Sequence, residues 1–521
     1  MNKDILKYCF EKGVLLDNEV LNFFSEANDI DSVKFLIEKI QRQTSQKIIT
    51  KEIFQDREKI KDIFSDLPSQ NQPTLEKLKI KLGLSIEISK EVQTLPIIKK
   101  EVVIPYPTSV RVLSSNPPTN KKIEVKDFVT YFRNRLSEMK GFLQEHVGLE
   151  NLVSINKISG SNHGISIIGL VLEKRVTKNK NIIFEIEDLT GRIKILINKD
   201  KKELCEKVDE IALDSVIGIK GSGNREIIFV NELILPESRL PERKKSIYDE
   251  SVLFIGDLHF GSKRFLEKSF EKFINYLSED NLEPEARKIK YLFIVGDIVT
   301  GVGNYPNQED DLVIGDVEEQ FSRFAELLGR VRKDIQIIIS PGNHDCVRLM
   351  EPQPVLDEKF AWALYEMENV ILTENPSYVN IGAKESFSGF DVLTYHGFSF
   401  PYYANSVPRL LVSRAMNTPE EIMKYLLVNR HLAPTHASVQ YFPLEKDPLI
   451  IRKIPDIFVA AHTHKSAVSY FNNILVVSVS SWEGFTPYQE KFGNTPDHCK
   501  VPMFNLKTRA VKILDFEEVE D

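Results

Sequence analysis

The sequence predicts a multidomain α+β protein that combines a small N-terminal helical module, a β-barrel and a larger α/β-sandwich domain. Three observations lead to this prediction. Apolar residues recur at helical spacing in residues 1–43, five short strand patterns follow one another in residues 151–237, and buried-strand patterns are spread over the second half. At 521 residues the chain is also too long for one ordinary core.

Composition is that of a globular protein without membrane spans. Apolar residues make up 42% and charged residues 28% of the sequence, and no apolar run approaches the roughly 18 residues that cross a bilayer. Asp4 and Glu11 interrupt the stretch where a secretion signal would need an apolar segment. We therefore expect a cytoplasmic protein with no membrane partner.

The cysteines agree with this expectation. Cys9, Cys205, Cys346 and Cys499 lie far apart and form no CxxC pair, which argues against a zinc ribbon or a disulfide framework and fits a reducing interior. Cys346 directly follows the sequence GNHD, but we expect it to be a small buried apolar residue rather than a metal ligand.

The net charge of −8 bears on the partners. A protein that wraps DNA alone is usually basic, so any nucleic acid would be held by a local patch or by a partner subunit. Two acidic stretches, 309–319 and 515–521, contribute to the excess of negative charge. We expect both to be solvated surface.

The first part of the chain divides into a helical domain and a linker. Residues 1–66 are predicted to form the helical domain, a docking element rather than a catalytic one, with apolar sets at Ile5, Cys9 and Phe10, at Val20, Phe23 and Phe24, and at Val33, Leu36 and Ile37. Asp29 and Asp31 are candidate caps. Residues 67–122 are rich in Pro, Ser, Asn and Lys, which is typical of a linker, with one short extended piece at 102–112.

Residues 123–240 are predicted to form a helix followed by a barrel. Asp127 opens the helix, whose apolar face comprises Phe128, Tyr131, Phe132, Leu136, Met139 and Leu143. Five short strand patterns follow, with a helix-like stretch at 202–211 between the third and the fourth. This succession matches an OB-fold barrel.

An OB-fold barrel can present a face to single-stranded nucleic acid. Positive charge is available at Lys174, Arg175, Lys178, Lys180 and Lys194, although aromatic residues are few. Direct DNA binding and docking of a protein both remain open for this barrel.

Residues 241–521 are predicted to form the domain that carries the chemistry, after a basic hinge at 237–246. Five apolar runs each end in a metal-ligand residue type: SVLFIGDLH (251–259), YLFIVGD (291–297), IQIIISPGNHD (335–345), DVLTYHG (391–397) and DIFVAAHTH (456–464). A sixth run, ILVVSVSS (474–481), follows without ligands. Open sheets place their ligands just beyond strand ends, so five such ends in a fixed order predict a two-metal hydrolytic centre.

The candidate ligands have the types and spacing that a binuclear centre needs. Asp257 and His259 lie two residues apart at the end of one strand, and Asp297, at the end of the next, is the candidate carboxylate that bridges the two ions. The remaining candidates are Asn343, His344, His396, His462 and His464. Such a mixed nitrogen and oxygen set suits Mn, Fe, Zn or Co. Alone, His396 could be a core histidine and the His462–His464 pair could be unimportant; together they favour metal. We expect surface or packing roles for His146, His163, His431, His436 and His498.

The ordered motifs D-x-H, G-D, G-N-H-D, H and H-x-H resemble the calcineurin-like metallophosphoesterase superfamily. The resemblance implies one ion held by Asp257, His259, Asp297 and His464, and a second held by Asp297, Asn343, His396 and His462. It implies that His344 protonates or stabilises the leaving oxygen, with Asp345 orienting it, and that a metal-bound hydroxide is the nucleophile.

Two details favour a phosphodiester substrate. Protein phosphatases of the superfamily carry an Arg soon after G-D and the sequence GNHE, whereas this chain has GDIVTGVGNYPNQ and GNHD. In this respect it is similar to the DNA-repair nucleases of the superfamily. Those nucleases have a His three residues after the bridging Asp, where this chain has Thr300.

A barrel that precedes such a domain is similar to the small subunits of archaeal family-D DNA polymerases and to the B-subunits of eukaryotic replicative polymerases. The match to the archaeal subunits rests on GVGNYPNQE (301–309), YHG (395–397), RHLAP (430–434) and DIFVAAHTH (456–464). It covers 127–521 and, less firmly, the N-terminal helices. The B-subunits have lost the metal ligands, whereas this chain keeps every one.

This resemblance implies a proofreading 3′→5′ exonuclease with two divalent ions, Mn²⁺ being the first choice and Fe, Zn or Co remaining open. Its implied partners are a large catalytic subunit, in a heterodimer or higher assembly, DNA with single-stranded or mismatched 3′ ends, and a sliding clamp. Polymerisation itself would belong to the assembly.

Two alternative functions remain open from the sequence. One is a docking B-subunit that cleaves nothing, and the other is a stand-alone metallophosphoesterase. The complete ligand set argues against the first, and the barrel with its hinge argues against the second.

Overall fold

The fold is given by a computed structural model of the chain. The described residues are 2–17, 20–21, 24, 33–34, 37–41, 48–49, 109–114, 122–144, 146–160, 162–281, 283–384, 386–486, 489–490, 493 and 495–518. The chain divides into two compact units, Met1–Lys100 and Glu101–Asp521. Among the described residues, no helix is both long and apolar enough to cross a membrane.

The first unit contains helix α1 (Asn2–Glu11) and a parallel pair of short strands, β1 (Leu15–Leu16) and β2 (Ile48–Ile49). Ile5 and Cys9 are buried, but Phe10, predicted to join them, is 80% exposed, because adjacent helical residues point in different directions. Asp29 and Asp31 lie outside the described residues, as does most of the predicted helical domain and linker. Both segments remain predictions.

The second unit begins, within its described part, with strand β3 (Val110–Val112) and helix α2 (Val125–Gln144). A closed five-stranded barrel follows in the order β4-β5-β6-β8-β7. Its strands are β4 (Asn162–Val176), β5 (Ile182–Asp188), β6 (Gly191–Ile197), β7 (Val216–Gly223) and β8 (Ile227–Ile234), and helix α3 (Lys202–Asp209) lies between β6 and β7. The five strands and the helix between the third and fourth agree with the sequence analysis.

The barrel interior is filled by alternate residues of its strands. On β6, Ile193, Ile195 and Ile197 point inward while the residues between them are at least partly exposed. Lys174, one of the predicted DNA-binding cations, is committed elsewhere: its ammonium group donates to the carbonyl oxygens of Val208 at 2.9 Å and Ile211 at 2.7 Å. Burial lowers the pKa of Lys174 to about 8, so Lys174 is not a free cation on this surface.

Helix α2 is joined to the part of the chain that follows the barrel by a buried ion pair. Arg135 is 1% exposed and its Nε lies 2.5 Å from Oδ2 of Asp447. Asp447 also accepts a hydrogen bond from the Tyr131 hydroxyl at 2.6 Å, and its carboxylate lies 2.8 Å from Nε2 of His431. His431 thus has the packing role expected of it. Phe128, predicted on the apolar face of this helix, is only partly buried and packs against the neighbouring apolar cluster.

The remainder of the second unit is a sandwich of two six-stranded sheets. The first has the order β12-β11-β10-β9-β18-β19 and the second the order β16-β17-β15-β14-β13-β3. The first sheet comprises β9 (Ser251–Ile255), β10 (Ile289–Val295), β11 (Gln336–Ser340), β12 (Val370–Leu372), β18 (Lys500–Asn505) and β19 (Val511–Asp515). The second comprises β3, β13 (Ser377–Ile381), β14 (Phe390–Tyr395), β15 (Ile457–Ala460), β16 (Ala467–Phe471) and β17 (Ile474–Ser478).

Helices cover the outer faces of the two sheets. They are α4 (Glu267–Tyr276), α5 (Pro284–Arg287), α6 (Val317–Leu328), α7 (Glu358–Tyr365), α8 (Phe400–Ser406), α9 (Pro408–Val412) and α10 (Pro419–Asn429). An apolar layer between the sheets includes Phe254, Phe293, Val459 and Val477. The strands are therefore buried on both faces, which explains why their sequences are continuous apolar runs.

All six predicted strand runs form strands, and their arrangement concentrates the ligand segments. Strands β9, β10 and β11 run parallel in the first sheet, and β14, β15 and β17 run parallel in the second. The carboxyl ends of parallel strands meet at one edge. Strand β3 pairs with β13, so the extended piece predicted at 102–112 ends as an edge strand; 102–108 lie outside the described residues.

Replacing Asp447 by Asn is expected to destabilise the second unit, because the Arg135 guanidinium would stay buried without its counter-charge. Loss of one partner of a buried ion pair costs about 3–5 kcal/mol. We expect a clearly lower midpoint of thermal unfolding, measured by circular dichroism. Glu187→Gln breaks the exposed pair with Arg192 (2.9 Å) and is the control; it should leave the midpoint unchanged. Equal midpoints for both variants would contradict this assignment.

Candidate metal centre

The predicted ligand residues from both sheets meet at the carboxyl edge of the sandwich. Nε2 of His259 lies 3.2 Å from Nε2 of His464. Nε2 of His396 lies 3.2 Å from Nδ1 of His462 and 2.9 Å from Oδ1 of Asn343. Donor atoms within 4.8 Å of one another form three overlapping groups: Asp257, His259 and His464; His259, Asp297 and His344; and Asp297, His396 and His462.

Asp297 lies between the two ends of this cluster. Its Oδ2 is 3.9 Å from Nε2 of His259 and 3.3 Å from Nε2 of His396. Its other oxygen, Oδ1, accepts a hydrogen bond from the backbone N–H of His344 at 2.8 Å. One carboxylate oxygen therefore faces both groups of imidazoles, which is the position of a ligand shared by two ions.

The backbone at the cluster is strained in a consistent way. Five candidate ligands have left-handed φ angles: 48° at Asp257, 50° at His259, 49° at Asp297, 71° at His462 and 55° at His464. Although Asp and His adopt this region more readily than most side chains, each costs roughly 1 kcal/mol or more. Such strain gathered in one place is typical of functional sites.

Two glycines leave room for the cluster. A Cβ on Gly296, which has φ of 73°, would collide with Nδ1 of His396, and a Cβ on Gly342 would collide with the Asp297 carboxylate. The G-D and G-N-H-D motifs therefore need glycine because ligand side chains from neighbouring loops pass directly over these Cα atoms.

Burial and charge set the protonation of the cluster. Burial lowers the pKa of His259 and of His464 to about 3, so both imidazoles are neutral, the form that binds metal. Burial also lowers the pKa of His396, but the carboxylates of Asp297 and Asp257 outweigh it and raise that pKa to about 9. Burial raises the pKa of Asp257 well above its ordinary value.

The donor set fits divalent metal. Atoms with lone pairs from Asp297, Asn343 and His462 crowd around Nε2 of His396 at 2.9–3.3 Å, while its buried Nδ1 has no hydrogen-bond partner in the described part of the chain. Nε2 of His396 has one hydrogen to give when it is protonated, whereas a metal ion at this place could accept lone pairs from all of these atoms and from His396 itself. Neutral imidazoles, carboxylates and an amide oxygen are ligands that Mn, Fe, Zn and Co accept.

His344 lies half-buried at the edge of the cluster. Its ring meets that of His259 edge to face, with centroids 4.8 Å apart, and its Nδ1 lies 3.0 Å from the backbone oxygen of Thr300. The orienting role predicted for Asp345 is not matched by a direct hydrogen bond to this ring among the described residues. The Asp345 carboxylate is occupied by the N–H groups of Val299 at 2.9 Å and Gly342 at 2.7 Å, and burial raises the pKa of Asp345 to about 7.

The structure also tests the predictions for Cys346 and for the histidines expected to lie outside the site. Cys346 is exposed rather than buried, because its left-handed backbone, with φ of 56°, turns the side chain away from the core. His146 and His436 are exposed and His498 is half-buried. His163 has no described side chain.

Two further residues, which the sequence did not predict, support the candidate ligands. The amide nitrogen of Gln489 lies 2.9 Å from Nδ1 of His464, and Oδ1 of Asn375 accepts a hydrogen bond from the N–H of His396 at 2.8 Å. Neither lies in a motif or at a spacing that marks it, so the sequence contained no signal for them.

Comparison with known proteins identifies the domain and the family. Residues 251–466 match the family model "Calcineurin-like phosphoesterase". A DNA polymerase II small subunit from Methanothermobacter thermautotrophicus is 35% identical over 75% of this chain and 80% of its own length. Those from Pyrococcus horikoshii and Pyrococcus furiosus are 33% and 35% identical over 87% and 78% of this chain, and over 73% and 67% of their own lengths.

A solved structure, the ZRD-deleted mutant of TiaS in complex with agmatine, overlaps 16% of this chain and 24% of its own, with 19% identity and a TM-score of 0.14. That likeness is too low to support any argument.

The DNA polymerase II small subunits match this chain across both the barrel and the sandwich. They confirm the resemblance seen in the sequence. The chain belongs to the family of archaeal DNA polymerase II small subunits and carries a calcineurin-like phosphoesterase domain.

Proposed function

We propose that this chain is a 3′→5′ exonuclease, the proofreading subunit of a heteromeric replicative DNA polymerase. The observation that carries the proposal is the complete set of donor atoms at the edge shared by the two sheets. A docking subunit needs no such set, and strained backbone at five ligand positions would be a cost without a function.

In this proposal two divalent ions, Mn²⁺ in the first instance, occupy the cluster. Asp257, His259, Asp297 and His464 hold one ion, and Asp297, Asn343, His396 and His462 hold the other. Bound there, a pair of ions supplies Lewis acidity to a phosphodiester and to the attacking water. The protein fixes the donors, excludes water from their buried side, and orients His344 toward the scissile phosphate.

His344 is proposed to give a proton to the leaving oxygen. Its ring is half-buried, borders the His259 side of the cluster, and is fixed by its backbone N–H to Asp297 and by its Nδ1 contact with Thr300. A group held this close to both ligand sets can reach the oxygen that departs from phosphorus.

A DNA substrate is supported by the rest of the chain. The barrel's strand order and the position of α3 support an OB-fold, a common binder of single strands. The relatives are small subunits of a polymerase, so we propose a large catalytic subunit as partner, with a sliding clamp as a further one. The domain division at 122/123 and 240/241 remains part of this proposal.

The proposed function is tested by comparing two substrates. The purified chain with Mn²⁺ should release nucleotides from an oligonucleotide labelled at its 3′ end, and should hydrolyse p-nitrophenyl phosphate poorly. Cleavage of the small ester alone would favour a stand-alone phosphoesterase. Failure to cleave either substrate, alone and with the large subunit, would favour a docking subunit.

Asp297→Asn is expected to abolish nucleotide release, because the shared carboxylate is lost from both ligand groups. We also expect less bound Mn²⁺ after dialysis, measured by mass spectrometry of the metal, and no gain in unfolding temperature when Mn²⁺ is added. Asp280→Asn, at an exposed position, is the control. Full activity of Asp297→Asn would refute the shared ligand.

His344→Ala is expected to lower the rate of DNA cleavage by about 10²–10⁴-fold, the usual contribution of a general acid, while Mn²⁺ content stays that of the unchanged protein. His436→Ala, an exposed histidine, serves as the control. A His344→Ala protein that loses its metal instead would place His344 among the ligands.

A further inference from the structure

The segment 300–308 follows the G-D motif and runs beside His344. It contains most of the GVGNYPNQE sequence, to which the ligand assignments give no role. Its last residue, Gln308, is wholly buried. Gln308 accepts a hydrogen bond from the backbone N–H of Asn304 at 2.8 Å and donates to the backbone oxygen of Thr300 at 2.9 Å. A buried side chain therefore closes this segment into a fixed loop.

The backbone oxygen of Thr300 is the centre of this loop. Three donors converge on it: Nδ1 of His344 at 3.0 Å, Nδ2 of Asn304 at 3.0 Å and Nε2 of Gln308 at 2.9 Å. A carbonyl oxygen has only two lone pairs, so its acceptor capacity is fully used and its position is fixed from three sides.

This contact decides the tautomer of His344. A carbonyl oxygen can only accept, so Nδ1 of His344 carries its hydrogen and donates it to Thr300. Nε2 is then the nitrogen that exchanges a proton with a substrate. The contact of 3.3 Å between Nδ1 and Asn304 Nδ2 joins two donors and is not a hydrogen bond; Asn304 uses the Thr300 oxygen instead.

We propose that Gln308 and Asn304 are positioning residues for His344, acting through the Thr300 carbonyl. This loop would hold the His344 ring in place, a role that the resemblance implied for Asp345. The inference rests on the proposed function, since it concerns how His344 serves that reaction.

The step that depends on this geometry is the departure of the 3′-oxygen. A bond forms from water oxygen to phosphorus as the bond from phosphorus to the 3′-oxygen breaks. The electron pair of the broken bond stays on the 3′-oxygen, which takes the proton from Nε2 of His344. The attacking water loses its proton to solvent, and solvent returns one to Nε2.

A double-mutant cycle tests the inference. In the otherwise unchanged protein, Gln308→Met should lower DNA cleavage about 10–100-fold, the usual effect of a residue that orients a reacting one. Asn304→Ala, at an exposed position, removes one donor to Thr300 with little risk to folding and should lower the rate less. In a His344→Ala background neither change should lower the residual rate further.

A second substrate separates positioning from general damage. In the p-nitrophenyl ester of thymidine 5′-phosphate the leaving group departs without a proton, so both variants should hydrolyse it at nearly the rate of the unchanged protein. Gln336→Met is the matched control, because Gln336 is also wholly buried but lies on β11. It should leave both rates unchanged.

Three results would overturn the inference. The first is an equal loss from Gln308→Met with and without His344, and the second is an equal loss on both substrates. The third is unchanged DNA cleavage in Gln308→Met and Asn304→Ala. If the unchanged protein cleaves no DNA, the proposed function fails instead, so the two failures are distinguishable.

Discussion

The rest of this structure depends on the close approach of imidazole nitrogens and carboxylate oxygens from the two six-stranded sheets. His259 and Asp297 come from one sheet and His396 and His464 from the other, and their donor atoms lie 3.2–3.9 Å apart. These atoms offer more lone pairs than the hydrogens between them can satisfy. The left-handed ligand residues and the glycines beneath them are the means by which the fold holds this arrangement, and a bound ion would stabilise it by mass action.

The sandwich core makes that precision possible. Its strands are buried on both faces. A shift of such a strand by one residue would turn every side chain to the opposite face, so the residues that pack between the sheets would change places with those under the helices. The layer containing Phe254, Phe293 and Val459 therefore sets the position of each strand end relative to the opposite sheet. The distances between the candidate ligands are thus a consequence of the apolar packing between the two sheets.

The sequence predicted much of this because its strongest signals are local. Continuous apolar runs that end in Asp, Asn or His predicted the strands of the sandwich and the candidate ligands, and a succession of five short strand patterns predicted the barrel. What it could not predict depends on partners distant in sequence. Arg135 can be buried because Asp447 neutralises its charge. The Asp345 carboxylate accepts hydrogen bonds from the backbone N–H groups of Val299 and Gly342, so it supports the loop backbone. Lys174 and Cys346 were misjudged for the same reason, since each side chain's direction is set by tertiary contacts.

Strand β3 gives the chain an unusual order of assembly. The hydroxyl groups of Ser114, just after β3, and Ser377, at the start of β13, lie 3.1 Å apart but are separated by 263 residues in sequence. The whole barrel is synthesised between them, and ribosomes add about 5–20 residues per second. The barrel thus emerges while this edge of the second sheet still lacks its partner. The pairing of β3 with β13 therefore has to wait until the chain has been made well beyond the barrel.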